Sequence, residues 1–344
     1  MKTYKFYTGA FNVTLFVTLL ILSLSNFAQA EDGDGGEWLI RLEPIHMSVY
    51  GQDQHVLNIH RINSDTDPAE QYTTGVTLNT NSGTSIAGEF QYEKGRWAGG
   101  VDFWLLYTSQ NTPDQVDFAG GSDGSEMVVY EVAGREYTST DPSQRLYFRT
   151  RTDTALQVWT LNLYGMRNLL EGPDSAIRLQ MGMKIADFDN DYRAVVGMEG
   201  VGNTMLDASS NYSLMLGPLV SLLGEFRVGR SRFEGYFSQS FVIGDVEQTS
   251  GYSDFMEQVT ADEADMSYDV FAQTREVGVP ISEFRLKWMY ELGKHIGLGL
   301  GANTSVWWDI PVPPRVNPSQ GDGDTLHENS VIFFGLLASL EFRF

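Results

Sequence analysis

The last fifteen residues, Ser330 to Phe344 (SVIFFGLLASLEFRF), constrain the fold more than any other stretch of the chain. Ile332, Phe334, Leu336, Ala338, Leu340, Phe342 and Phe344 are all apolar and share one parity, whereas the other parity carries Gly335, Ser339, Glu341 and Arg343. Successive side chains of a strand point to opposite faces, so one face of this segment asks for hydrocarbon while the other tolerates charge. A strand in a closed transmembrane barrel, with lipid on one side and a lumen on the other, has this pattern.

The same rule places nine more strands upstream. Ile296 to Trp308 sets Leu298, Leu300 and Val306 against Gly297, Gly299 and Asn303, and Val279 to Leu292 sets Phe284, Leu286, Trp288 and Tyr290 against Glu283, Arg285, Lys287 and Glu291. Arg232 to Asp245, Tyr212 to Phe226, Asp174 to Asp187, Asp153 to Arg167, Arg96 to Tyr107, Thr84 to Tyr92, and Trp38 to about Ser48 alternate in the same way. Four short turns and five long connections, at about 49 to 83, 108 to 152, 188 to 210, 246 to 278 and 309 to 329, join them in strict alternation. This predicts a single all-β, up-and-down antiparallel barrel of about ten strands, with short periplasmic turns and long extracellular loops. Twelve strands stay open, because Val56 to Ile62 and Thr74 to Asn79 can each extend within the first loop. The expected lipid belt holds Trp97, Phe103, Trp159, Phe237, Trp288 and Phe334, with Tyr107, Tyr290, Trp308 and Phe344 toward its girdles. Pro218 and Pro280 fall inside strands, where a bulge or a rim position is expected. A soluble β-sandwich would not need so many outward Phe, Leu and Trp.

The other end of the chain agrees. Lys2 and Lys5 precede an apolar run from about Phe11 to Leu24, and Ala28-Gln29-Ala30 has the small-x-small form of a cleavage site, so residues 1–30 read as a secretory signal peptide and 31–344 as one barrel domain. There is no cysteine, which excludes disulfide stapling and a thiol-anchored lipid. No later run is long and apolar enough for a membrane helix, a limit that does not apply to strands. The formal charge of −22 becomes more negative on processing, since the leader holds two Lys and no acid, and such acidity argues against a nucleic-acid partner.

Gly88-Glu89-Phe90-Gln91-Tyr92, Gly95-Arg96-Trp97-Ala98-Gly99-Gly100-Val101-Asp102 and Arg178-Leu179-Gln180-Met181-Gly182-Met183-Lys184 resemble the Legionella major-outer-membrane-protein-like, pore-forming barrels. That resemblance implies an outer-membrane pore. The terminal Phe344 likewise resembles the signal by which Gram-negative outer-membrane barrels are recognised for insertion. It implies the barrel-assembly machinery as a partner, alongside outer-membrane lipid and lipopolysaccharide.

On the assigned parity the lumen receives Arg41, Arg96, Arg178, Lys184, Arg232, Arg285 and Lys287 together with Glu43, Glu89, Asp102, Glu225, Glu234, Glu283 and Glu341. These charges can line a water-filled eyelet for small solutes or ions, or pair across a narrow bore and close it. The first expectation is a porin-like pore tuned by Arg178, Lys184, Arg285 and Lys287 on one side and Glu89, Asp102, Glu234 and Glu283 on the other; the alternative is a closed structural or adhesive barrel. A rim enzyme is the third reading, in which His327 approaches His46, His55 or His60 near Asp53 or Glu328, since a His beside a carboxylate is the minimum for general-base work. Exposed histidines on polar loops are ordinary, so the expectation is no enzyme and no cofactor. Asp187, Asp189 and Asp191 have the alternating carboxylates of a calcium loop, but Tyr192 stands where the sharp turn needs Gly, so no metal is expected.

Overall fold

The structure, a computed structural model, describes residues 36–51, 54–63, 70–78, 82–119, 126–132, 135–139, 146–198, 202–255, 269–311 and 328–344. The leader and His327 lie outside these residues. Fifteen strands follow in order: β1 (Glu37–Tyr50), β2 (Gln54–Asn63), β3 (Glu70–Leu78), β4 (Ser82–Lys94), β5 (Trp97–Ala119), β6 (Glu126–Val132), β7 (Arg135–Ser139), β8 (Leu146–Glu171), β9 (Ser175–Met198), β10 (Gly202–Tyr212), β11 (Met215–Val228), β12 (Ser231–Phe255), β13 (Asp269–Glu291), β14 (Ile296–Pro311) and β15 (Glu328–Arg343).

Ten of them, β1, β4, β5, β8, β9, β11, β12, β13, β14 and β15, close into an antiparallel barrel whose first and last strands pair. The seam is finished by the chain end itself, where Trp38 and Phe344 exchange backbone N–H···O bonds at 3.0 Å in both directions. Short turns gather at one end; Gly95 and Gly229 both take φ of +61°, the left-handed conformation that a tight hairpin needs and that glycine adopts without strain.

The eleventh strand of this sheet, β10, lies between β9 and β12 directly above β11, separated from it only by Ser213 and Leu214. Ser213 bridges the break by donating its N–H to Asp245 O at 2.7 Å and accepting the Asp245 N–H on its Oγ at 2.8 Å. β10 and β11 are thus one ribbon with a step in it. The connection expected at 188 to 210 is for the most part strand, and much of that at 246 to 278 is ladder as well.

Of the two candidate segments of the first loop, Val56 to Ile62 and the described part of the second, Thr74 to Leu78, are extended, Asn79 lying outside the described residues, but they do not enter the barrel. β2 and β3 pair with each other, and β2 pairs with β6, giving a second sheet in the order β3-β2-β6-β7. This removes the twelve-strand alternative. β11 also runs through Pro218 with an unbroken register against β9, so no bulge forms there; register shifts occur instead at Thr112/Gln115, Asn168/Leu170 and Trp307/Ile310.

The outer face matches the alternation. Trp97, Phe237, Trp288 and Phe334 are exposed, Phe103 and Trp159 are half-covered by neighbours on the same face, and Tyr107, Tyr290, Trp308 and Phe344 are exposed near the edges. Ten residues separate Trp97 from Tyr107 along β5; at about 3.3 Å per residue and a tilt of about 40°, they span a height of roughly 25 Å, that of a barrel's apolar band. Two outward indoles mark the upper edge by finding polar partners, Trp159 Nε1 donating to Asp187 Oδ2 at 2.8 Å and Trp308 Nε1 to Ser282 Oγ at 3.0 Å. Above this line the outward residues become Asp187, Asp189 and Asp191 on β9 and Asp245 and Glu247 on β12, and the ladder continues. The 26 residues of β8 extend for about 85 Å at the usual rise, far more than a tilted crossing needs.

Leu286, outward and half exposed midway along the spanning part of β13, gives a direct check. Leu286→Arg is expected to cost about 2 to 4 kcal/mol in a urea titration of the barrel in lipid vesicles. Thr274→Arg, exposed on the same strand above the belt, is expected to stay within about 0.5 kcal/mol.

Candidate functional site

The barrel interior is filled in two layers. The lower one, toward the short turns, is charged and is assembled from strands on opposite walls. Arg41 on β1 places Nη1 2.8 Å from Glu89 Oε2 on β4 and Nη2 2.9 Å from Glu234 Oε1 on β12 and 2.6 Å from Glu341 Oε2 on β15. Arg232 binds the same two acids from the far side, at 2.9 Å to Glu234 Oε1 and 2.5 Å to Glu341 Oε2. Lys287 Nζ lies 3.0 Å from Glu43 Oε1 and 3.1 Å from Glu234 Oε2, and Arg285 Nη1 lies 3.3 Å from Glu43 Oε2.

A second group stands beside it. Lys184 Nζ on β9 reaches Glu283 Oε1 on β13 at 2.6 Å, while Ser238 Oγ donates to the other oxygen of Glu283 at 2.9 Å. Tyr164 OH donates to Glu89 Oε1 at 2.7 Å, Asn162 Nδ2 donates to Asp102 Oδ1 at 2.7 Å, and Arg178 Nη2 lies 3.2 Å from Glu93 Oε1. The alternation turns each of these side chains inward, and the register sets the heights at which they meet: Arg41 is opposite both Glu341 and Glu89, and Glu234 opposite Lys287. Lys184 is 0% exposed and Arg232 1%, so water does not reach them. Charges taken out of water are tolerable only when paired and hydrogen-bonded: Lys184 Nζ donates to Glu283 and Arg232 Nη2 to Glu341, whereas Arg232 Nε and Nη1 hold only ion-pair contacts without a hydrogen bond. Arg96, expected in the lumen, is instead exposed in the β4–β5 turn.

The upper layer is apolar, which the expected charged lumen did not include. Ile45, Met47 and Val49 on β1, Trp104 and Leu106 on β5, Phe188 on β9, Trp307 on β14 and Phe333 on β15 point inward and are buried. Phe333 packs edge-on against Trp104 with ring centroids 5.3 Å apart and against Trp307 at 6.2 Å, and Phe188 meets Trp307 at 5.7 Å and Tyr212 at 5.5 Å. Tyr212 OH caps the layer by donating to Pro311 O at 2.7 Å.

An eight-stranded barrel is filled by its own side chains and a sixteen-stranded one leaves a channel. Here ten strands are bridged by Arg, Lys and Glu at hydrogen-bond distance, and between groups in such contact there is no room for a hydrated ion. Sequence reasoning assigned the lumen charges a face but not their partners, and it missed Trp104, Phe188, Trp307 and Phe333.

Asp187, Asp189 and Asp191 lie on the outward face of β9, one pleat apart, so roughly 7 Å separates each from the next. Carboxylates spaced along a strand do not converge on one ion, and among the described residues no cluster of three or more His, Asp or Glu is placed to hold one. His46 is outward on β1, and His295 lies in the β13–β14 turn with Nδ1 2.8 Å from Arg343 O. The side chains needed for a rim site around His327 fall outside the described residues.

No protein-family model and no curated protein matches the chain. Among solved structures it is similar in architecture to the outer membrane protease OmpT from Escherichia coli, at 12% identity over 89% of this chain and 97% of that one, with a TM-score of 0.45. It also aligns with a deletion mutant of the monoaromatic hydrocarbon channel TodX, at 8% identity, 91% coverage of both chains and a TM-score of 0.27, and with a porin, at 8% identity, 89% and 100% coverage and a TM-score of 0.16. All three are β-barrels, and at these values the likeness assigns no activity. The expectation of a non-enzyme is corrected on this point: with a protease first among these matches, that exclusion is withdrawn. These comparisons do not show the resemblance to the Legionella family.

Proposed function

We propose that this protein is an outer-membrane barrel with a closed bore, anchoring a surface scaffold, and that its function lies in the wall and second sheet it holds outside the membrane. The observation that carries this reading is the pair of stacked seals, Arg41 and Arg232 joined to Glu234 and Glu341 below and Phe333 with Trp104 and Trp307 above. In the same reading the chain sits in the outer membrane of a Gram-negative bacterium among phospholipid and lipopolysaccharide, delivered by an assembly machinery that reads Phe344. The pore implied by the Legionella-type resemblance is the competing reading, and it requires both seals to part.

Solute permeation separates the two. Liposomes carrying the refolded barrel are expected to swell in an isotonic arabinose solution no faster than empty ones. Swelling that rises with the amount of protein incorporated would return the pore reading.

A further inference from the structure

The lipid-facing wall has a groove in it. About 800 Å³ in volume, it runs across six adjacent strands, β8, β9 and β11 to β14, from the short-turn rim into the belt, bounded by Leu170, Ile177, Phe226, Phe233, Leu286 and Trp288. It exists because two outward positions that face each other across β11 and β12, Gly224 and Gly235, carry no side chain where their neighbours carry Phe and Leu. A side chain has room there: a Cβ at Gly224 would meet only Gly235 O at 3.9 Å, and one at Gly235 only Leu286 Cδ2 at 3.6 Å.

We infer that this groove binds one acyl chain of a glycerophospholipid with a zwitterionic, phosphate-plus-ammonium headgroup, in the leaflet at the short-turn side. An apolar cleft of this volume is within the usual range for a small-molecule site. A wall sunk in lipid offers it either hydrocarbon or another protein. A second copy meeting it with the two-fold axis through the groove would set concave surface against concave surface and leave the void unfilled.

The rim supplies the headgroup chemistry. The β11–β12 turn presents the exposed Arg230 one turn below the paired Phe226 and Phe233. Glu171, the last residue of β8, which accepts from Asn168 Nδ2 at 3.3 Å, and Asp174 in the β8–β9 turn are exposed and adjoin the lining residues Leu170 and Ser175. A cation on one side and two acids on the other complement a phosphate and an ammonium; a purely anionic headgroup would satisfy Arg230 and be repelled by the acids. Preference over bulk lipid then comes from filling a void that mobile chains leave partly empty and from that charge match, because lipid tails are as apolar as the groove itself.

Native mass spectrometry of the full-length folded barrel, titrated with palmitoyl-oleoyl phosphatidylethanolamine or the matching phosphatidylglycerol, tests this. One retained phosphatidylethanolamine is expected, bound more tightly than phosphatidylglycerol. Gly235→Leu should weaken it about tenfold, because the new side chain takes the space in which the acyl segment packs. Gly165→Leu, the same change on an outward position with open space around it on β8, should leave binding unchanged. Arg230→Glu, in an exposed turn where folding is not at stake, should weaken retention in its own right. Equal binding by wild type, Gly235→Leu and Arg230→Glu overturns the site. Equal affinity for the two lipids overturns the headgroup assignment, and a dimer that dissociates on Gly235→Leu gives the groove to a second copy. None of these outcomes depends on whether the bore is closed.

Discussion

Arg41→Ala is expected to destabilise the barrel by about 3 to 5 kcal/mol, the cost of removing one member of a buried ionic network and leaving Glu89 without its cation. Arg41 is the hub: among the described residues it alone touches all three of Glu89, Glu234 and Glu341, which come from three different strands. Glu234 and Glu341 retain Arg232, whereas Glu89 is left leaning on the Tyr164 hydroxyl. Equilibrium urea unfolding in lipid vesicles measures the loss. The simpler pair Lys184–Glu283 supplies the comparison. Lys184→Met alone should cost several kcal/mol, whereas Lys184→Met with Glu283→Leu should recover most of it, since a buried pair replaced by apolar groups of similar size is often neutral or stabilising by roughly 1 to 4 kcal/mol. A small effect for Arg41→Ala would mean that water reaches the network.

Phe333→Ala should cost about as much for a different reason. The ring is fully buried between Trp104 and Trp307, and truncating a buried Phe costs about 3 to 5 kcal/mol from lost transfer energy and the cavity left behind. The same titration checks it, and near-ultraviolet circular dichroism should change because two indoles lose an edge-on partner. The variant is expected to remain impermeable, since the charged layer beneath it is intact. The two layers therefore separate: one set of substitutions tests ionic pairing, the other packing, and neither alone opens the bore.

Much of this was legible in the chain. Outward positions on β13 and β15 follow directly from the parity of Phe284, Leu286 and Trp288 and of Phe334 and Leu336, because lipid demands an apolar face and the pleat has a period of two. The upper lumen was harder. Val331, Phe333 and Leu337 lie on the parity that also holds Ser339 and Glu341, so β15 is apolar on both faces over its upper half. The run SVIFFGLL is the visible sign, as a strand buried on both sides loses its alternation. Above the membrane the signal fades altogether. The outward Asp189 and Asp191 on β9 and the segment from Asp207 to Tyr212 on β10 carry a backbone ladder with no lipid to impose apolar residues, so they read as loop. Partners across the bore, such as Arg41 with Glu234 or Lys184 with Glu283, depend on closure and stagger of ten strands and have no local trace in the sequence.

Planar-bilayer recording of the refolded chain tests the closed bore most directly. The expected result is no conductance step above the bare bilayer at either polarity, for the wild-type barrel and for Arg285→Glu alike. Reproducible unitary steps from the wild-type protein, with a reversal potential that moves when Arg285 or Glu283 is reversed in charge, would contradict it and make the charged layer a selectivity filter.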